Sequence, residues 1–132
     1  MNKVSAALRV MKSDLDPDEV SKYLDLSPDH AHQRGDPHLG REGRRYADFT
    51  EGLWELRSAG GESSLLSEIR SLLDRLKGRE AALRQLLELG YRLDIFVGIF
   101  GSEEAPLGFS IPADLSTALG ELGLDLELDI YP

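Results

Sequence analysis

The chain has 132 residues, 24 acidic against 15 basic side chains, a formal net charge of −9 and no cysteine. That length suits one domain, residues 1–132, whose core hides roughly two-thirds of the unfolded surface and needs no covalent staple. Without cysteine there can be no disulfide, no thiol nucleophile and no cysteine-held zinc or iron–sulfur centre. The 41% of hydrophobic residues, regularly spaced, exclude a disordered chain.

The first residues, Met1 to Ala7, carry one lysine, and Arg9 and Lys12 interrupt the apolar residues after them, so no signal-peptide pattern is present. The longest apolar run, Ile95 to Phe100, is strand-sized, far below the ~20 residues of a membrane span. A cytoplasmic setting with no membrane contact is expected. The charge is uneven. Between residues 27 and 45, Arg34, Arg41, Arg44 and Arg45 face Asp29, Asp36 and Glu42, a local surplus of about +1. Beyond Arg92 there is no lysine or arginine, only acidic residues ending in Asp125, Glu127 and Asp129. Nucleic-acid affinity needs clustered cations, so this balance argues against a nucleic-acid partner and for a basic protein partner.

In chain order, Val4, Ala6, Leu8 and Val10 alternate with Ser5, Ala7, Arg9 and Met11, which predicts a first strand. Asp16-Pro17-Asp18-Glu19 combines a capping side chain, a proline suited to the first helical position and a carboxylate three residues after the cap. A helix is expected next, with Val20, Tyr23 and Leu24 inward, ending at Ser27-Pro28. Residues 28–45 show no helical or strand period and read as a long irregular loop. Tyr46 to Phe49, then Gly52, then Leu53 to Ser58 read as two short strands or one broken one, with Trp54 and Leu56 on one side. Trp54 is expected in the core rather than as a ligand platform.

Leu65, Ile69, Leu72, Leu73 and Leu76, then Leu83, Leu86 and Leu87, make one leucine-rich stripe. Gly78 breaks it into two helices or one kinked helix, and Gly90 is placed to cap the end. Tyr91 to Phe100 alternates as a central strand whose second face, with Phe96 and Phe100, is also partly apolar. A short strand is expected over Leu107, Phe109 and Ile111, and a helix over Pro112 to Leu122. The last strand is the cleanest pattern: Leu124, Leu126, Leu128 and Ile130 against Asp125, Glu127, Asp129 and Tyr131. The expected fold is α+β, a mostly antiparallel sheet with helices packed on one face. Its ferredoxin-like order β-α-β-β-α-β is extended by β-α-β.

Several segments together resemble a known family. They are Leu15 to Val20, Leu24-Asp25-Leu26-Ser27-Pro28, Arg34-Gly35-Asp36, Gly52-Leu53-Trp54, the leucine-rich helix and the final Asp129-Ile130-Tyr131. Their order and spacing resemble the domain-of-unknown-function family numbered 4279, small and mostly bacterial proteins, over nearly the whole chain. Here the loop is a histidine-rich version. The resemblance implies a single α+β domain of bacterial origin. It brings no established activity, so no catalytic residue transfers. Acidic single-domain bacterial proteins of this kind include immunity and accessory proteins, an analogy at the level of fold.

Four groups of residues could carry chemistry. His30 and His32, two positions apart, can converge on one metal, and His38 or Asp36 would complete a zinc site with an open position. The competing reading is three exposed histidines on a polar loop, and nothing else in the chain asks for a cofactor. Arg34, Arg41, Arg44 and Arg45 could grip a phosphate or carboxylate with paired hydrogen bonds, or serve solubility by pairing with local acids. Gly60-Gly61-Glu62-Ser63-Ser64 lacks a phosphate-loop lysine, and Glu62 repels phosphate, so it reads as a turn and helix cap.

Asp125, Glu127 and Asp129 sit ~6.6–7 Å apart along a strand face, too stretched for one calcium ion. They suit a solvated face or a docking face for a basic partner. No nucleophile elbow, zinc-protease motif, phosphate loop or dinucleotide fingerprint is present. The favoured reading is a non-enzymatic binding module, immunity-like in one form, with an edge-to-edge homodimer also open to it. The alternative is a small metal- or anion-dependent enzyme built on the histidine-rich loop, with Arg34 or Arg44 holding an anionic substrate.

Overall fold

The computed structural model describes residues 3–58, 64–100 and 110–131. Its elements in chain order are β1 (Lys3–Lys12), α1 (Pro17–Leu24), β2 (His30–His32), β3 (His38–Leu39), β4 (Arg45–Tyr46), β5 (Gly52–Arg57), α2 (Leu65–Arg75), α3 (Glu80–Glu88), β6 (Arg92–Phe100), α4 (Ala113–Glu121) and β7 (Asp125–Tyr131). The main sheet runs β2-β5-β1-β6-β7, and β3 and β4 make a separate two-stranded sheet. Every pairing is antiparallel except that of β6 with β7. Those two strands are joined through α4, the kind of helical crossover that parallel neighbours require.

The alternation in β1 sets the layers. Val4, Ala6, Leu8 and Val10 are buried in one core cluster with Trp54 and Leu56 of β5 and with Ile95, Val97 and Ile99 of β6. The same cluster takes Val20 and Leu24 of α1, Ile69 and Leu72 of α2, Leu83 and Leu86 of α3, and Leu115 and Leu119 of α4. All four helices therefore cover one face of the sheet, as the α+β reading expects. Among the described residues, no helix is long and apolar enough to cross a membrane.

The local signals act as their chemistry predicts. Asp16 caps α1, its carboxylate accepting the Asp18 backbone N–H at 3.1 Å, with Pro17 in the first turn. Ser64 caps α2 by accepting the Ser67 backbone N–H, while the rest of the Gly60–Ser63 segment lies outside the described residues. Gly78 (φ +84°) separates α2 from α3, and Gly90 (φ +93°) follows α3. Both adopt the left-handed backbone that glycine takes without strain. Trp54 is fully buried, and its indole N–H donates to the Ser21 hydroxyl at 3.0 Å.

Three expectations need correction. Helix α1 ends at Leu24 rather than at Ser27-Pro28, because Asp25 turns left-handed at φ 53°. Residues 28–45 are not an irregular loop: they contain β2, β3, a 3-10 turn at Arg41–Gly43, and the first residue of β4. These strands are two or three residues long, too short to display a period of two. The ferredoxin-like order is not confirmed. Of residues 46–49 only Tyr46 lies in a strand, β4; β5 pairs with β2 and β1, and the β3–β4 hairpin intervenes between β2 and β5. The strand expected at 107–111 falls mostly outside the described residues.

Arg79 occupies what the stripe marks as an apolar position, and the structure explains why. Its guanidinium donates to the Leu24 carbonyl at 2.7 Å and the Asp25 carbonyl at 3.3 Å, at the end of α1. It also donates to the Arg75 and Lys77 carbonyls at the end of α2. One cation thus serves the unsatisfied carbonyls of two helix ends, where the helix dipoles favour positive charge. Replacing it with methionine (Arg79→Met) keeps the stem but removes every donor. Urea unfolding is expected to show a loss of about 1–3 kcal/mol, with Arg79→Lys restoring only part, since an ammonium cannot span both ends.

Candidate functional site

The face of the main sheet opposite the helices carries the polar chemistry. Backbone register lines up one residue from each strand across it: His30 of β2, Glu55 of β5, Arg9 of β1, Asp94 of β6 and Asp125 of β7. Arg9 sits at the centre. Its Nε donates to Asp94 Oδ1 at 2.8 Å and its Nη2 to Asp94 Oδ2 at 2.6 Å, a two-bonded grip. The guanidinium carbon also lies 4.4 Å from the centre of the Phe96 ring. Asp94 is only 7% exposed, a depth at which a carboxylate needs a partner. The hydrogen bond to Asp94, with the fields of Asp94, Glu127 and Glu55, raises the Arg9 pKa against the opposing effect of burial. Glu55 in turn holds Arg57, Oε1 to Nε at 2.5 Å, and Arg92 pairs with Glu51.

Asp125, Glu127 and Asp129 project from β7 on this same side and are all exposed. β7 is an edge of the sheet. The three arginines whose register places them on the face, Arg9, Arg57 and Arg92, are each held by another carboxylate: Asp94, Glu55 and Glu51. The β7 row therefore gives the face an outward acidic border.

At the opposite edge the three histidines gather, but as a stack of rings. His30 and His32 meet edge to face with ring centres 5.6 Å apart. His32 lies parallel to Phe49 at 3.5 Å, and His38 lies nearly parallel to Phe49 at 4.3 Å. Two rings cannot share one face of a phenyl group at such distances, so Phe49 stands between His32 and His38. Tyr46 continues the stack, 5.0 Å from His38. Among the described residues, no three of His, Cys, Asp and Glu are placed to hold one metal ion.

Asp36, the fourth candidate ligand, accepts the Gln33 backbone N–H at 2.7 Å and so closes the turn before the hairpin. That turn is also bonded to Phe49 through Gly35 N–H to the Phe49 carbonyl and Phe49 N–H to the Asp36 carbonyl. Three of the four arginine candidates have separate partners. Arg34 donates to the Ser13 hydroxyl, Arg45 to the Asp48 carboxylate, and Arg44 lies 5.7 Å from the Tyr46 ring centre. Arg41 lies in the 3-10 turn, and its side chain is outside the described residues. Sequence reasoning missed two members of this constellation. Phe49 ends a short stretch, Tyr46 to Phe49, too brief to show what its ring meets, and Asp94 is an acid in a largely apolar strand. The charge opposite a cross-strand arginine was the available clue to the second.

His32 carries a consequence for stability. Among the described residues, its Nδ1 is buried with no hydrogen-bond partner. Burial, then the fields of His30 and His38, lower its pKa from the usual 6.5, while Asp36 and the backbone at Glu51 act the other way. Near that pH the folded chain binds fewer protons at this site than the unfolded chain. The contribution is complete above about pH 6.5 and is lost as pH falls through the lower folded-state value. Melting temperature is expected to fall between about pH 7 and about pH 5, and to fall less in His32→Phe, which keeps a stacking ring but cannot titrate. Equal slopes in the two proteins would refute this assignment. Glu80 and Asp114, whose pKa values are lowered below 4.5 and 3.8, act in a more acidic window.

Comparison with known proteins adds one finding. No curated protein and no solved structure matches the chain. The family model described as a domain of unknown function, DUF4279, matches residues 2–132. The histidine-bearing edge, the Arg9–Asp94 centre and the acidic β7 border all lie within that match, and the chain belongs to this family of unknown function.

Proposed function

We propose that the protein is a non-enzymatic binding module whose helix-free sheet face receives a basic segment of a protein partner. Neutralisation of a basic protein, as an immunity protein performs it, is one concrete form. The observation that carries this reading is the charge arrangement of the face. Arg9, Arg57 and Arg92 are each held by a carboxylate other than those of β7, while Asp125 and Glu127 stand exposed along the border. The chain's overall −9 charge adds long-range steering for a cationic partner. The histidine stack supports the same reading: its rings are spent on one another and on Phe49, an arrangement suited to holding the hairpin in place.

The test uses a lysine-rich peptide as a probe, with binding read by fluorescence anisotropy over a range of salt concentrations. The triple variant D125N/E127Q/D129N is expected to bind at least about tenfold more weakly and to show a flatter salt dependence. A control that neutralises three exposed helix-side acids, D74N/E88Q/E121Q, is expected to leave affinity unchanged. Equal weakening by both variants would reduce the attraction to net charge and remove the face from the argument.

A further inference from the structure

The open edge of the main sheet offers backbone as well as side chains. β7 pairs with β6 on one side, and among the described residues no strand pairs with its other side. Successive residues of a strand turn their backbone N–H and C=O groups to alternate sides, so every second residue of β7 points its pair outward. The stretch Asp125 to Leu128 pairs with Asp94 to Val97. It begins at the end of β7 remote from Phe100 and Tyr131, ~20 Å away along the strand.

Two features mark this edge as unfinished. Leu126 and Leu128 lie beside Ile95 and Val97 of β6 in register, on the side that packs against the helices. Ile95 and Val97 are 0% exposed, whereas Leu126 and Leu128 are only partly buried. The core thus runs out at β7 with apolar surface left over, and covering that surface is favourable. The strand also lacks the common structural blocks to strand addition. It contains no proline or glycine, and its seven residues pair with β6 in one unbroken register, without a bulge.

The alternation of β7 decides what the edge admits. Asp125 and Glu127 are exposed on the helix-free side, and Leu126 and Leu128 lie on the other. A second copy of the chain, added antiparallel through its own β7, would set carboxylates against carboxylates on one side of the seam, which is destabilising. A strand with basic residues at alternate positions reverses that sign. Its cations stand beside Asp125 and Glu127, with facing Cβ atoms ~4.5–5.5 Å apart, while its apolar residues cover Leu126 and Leu128. We propose that the β7 edge accepts an extended peptide segment of alternating basic and apolar residues, added to the main sheet as a further strand. Main-chain hydrogen bonds supply the affinity, and the alternation supplies the selection. This proposal rests on the binding-module reading and deepens it, since it names how the basic segment of the partner is held.

Three synthetic probes separate strand addition from charge attraction alone. The first is a peptide of alternating lysine and valine as long as β7. The second has the same lysines and valines gathered into two blocks. The third is the alternating peptide methylated at every backbone nitrogen, which keeps the charge and removes the donors. Each is titrated onto the full chain at neutral pH, with affinity read by fluorescence anisotropy and amide exchange read by NMR. The alternating peptide is expected to bind about tenfold or more tightly than either of the others, and to slow exchange at every second amide of β7. Equal affinity for the alternating and block peptides, or affinity that survives methylation, would overturn strand addition and leave the acidic face as an attractor of cations. Binding that slows no β7 amide, or outward amides already protected in the free chain, would overturn it as well. If none of the three peptides binds, this proposal and the reading it rests on both fail.

Discussion

Strand β1 is the constraint on which the rest of the molecule depends. It is antiparallel to β5 on one side and to β6 on the other, so its register decides what every neighbouring strand presents to each face. Its even-numbered residues enter the core with those of both neighbours, and its odd-numbered residues line up on the polar face. A slip by one residue would exchange the two sets. Arg9 and Asp94, directly opposite across β1 and β6, oppose such a slip, because a shifted register would leave a buried carboxylate without its guanidinium. At the far end, Ala6 and Ser58 add a second clamp: the Ser58 backbone N–H donates to the Ala6 carbonyl, and the Ser58 hydroxyl accepts the Ala6 N–H.

The two edges of the sheet are protected differently. β2 is three residues long and is roofed on the polar side by the ring stack through Phe49. β7 is seven residues long and carries carboxylates at three alternate positions, Asp125, Glu127 and Asp129. Short edges and charged edges both discourage uncontrolled pairing with another chain. On β7 the residues that protect the edge are also the ones that make the face attractive to a cationic partner. Solubility and recognition would then draw on the same side chains.

Polar groups placed among apolar elements do positioning work throughout. Arg79 joins the ends of α1 and α2 through four carbonyls. The Trp54 indole reaches Ser21 of α1, tying that helix to β5 above the core. The turn at residues 33–36 is bonded to Phe49, and Phe49 is stacked between His32 and His38, so the small β3–β4 sheet is attached to the main sheet through aromatic contact and two backbone bonds. Few buried apolar contacts support that hairpin; Leu39 is 64% exposed and Tyr46 47%. Segments of that kind belong to the less stable end of a structure.

Much of the fold was legible from local chemistry. The alternation in β1, β6 and β7, the cap at Asp16 and Pro17, and the glycines at 78 and 90 each act within a few residues, and each appears where its pattern stands. The acidic row on β7 was legible for the same reason. The segment 28–45 was not, because strands of two or three residues have no period and are defined by partners far along the chain. The convergence of Phe49 on two histidines and the burial of Asp94 opposite Arg9 were equally hidden. Each joins residues whose proximity arises only once the sheet is ordered β2-β5-β1-β6-β7. What the sequence by itself determined, then, is which elements form and which side of each is apolar, because hydrophobic spacing and caps are local. Which charges meet, and which rings stack, only the tertiary structure decided, because contacts between distant residues depend on strand order and register.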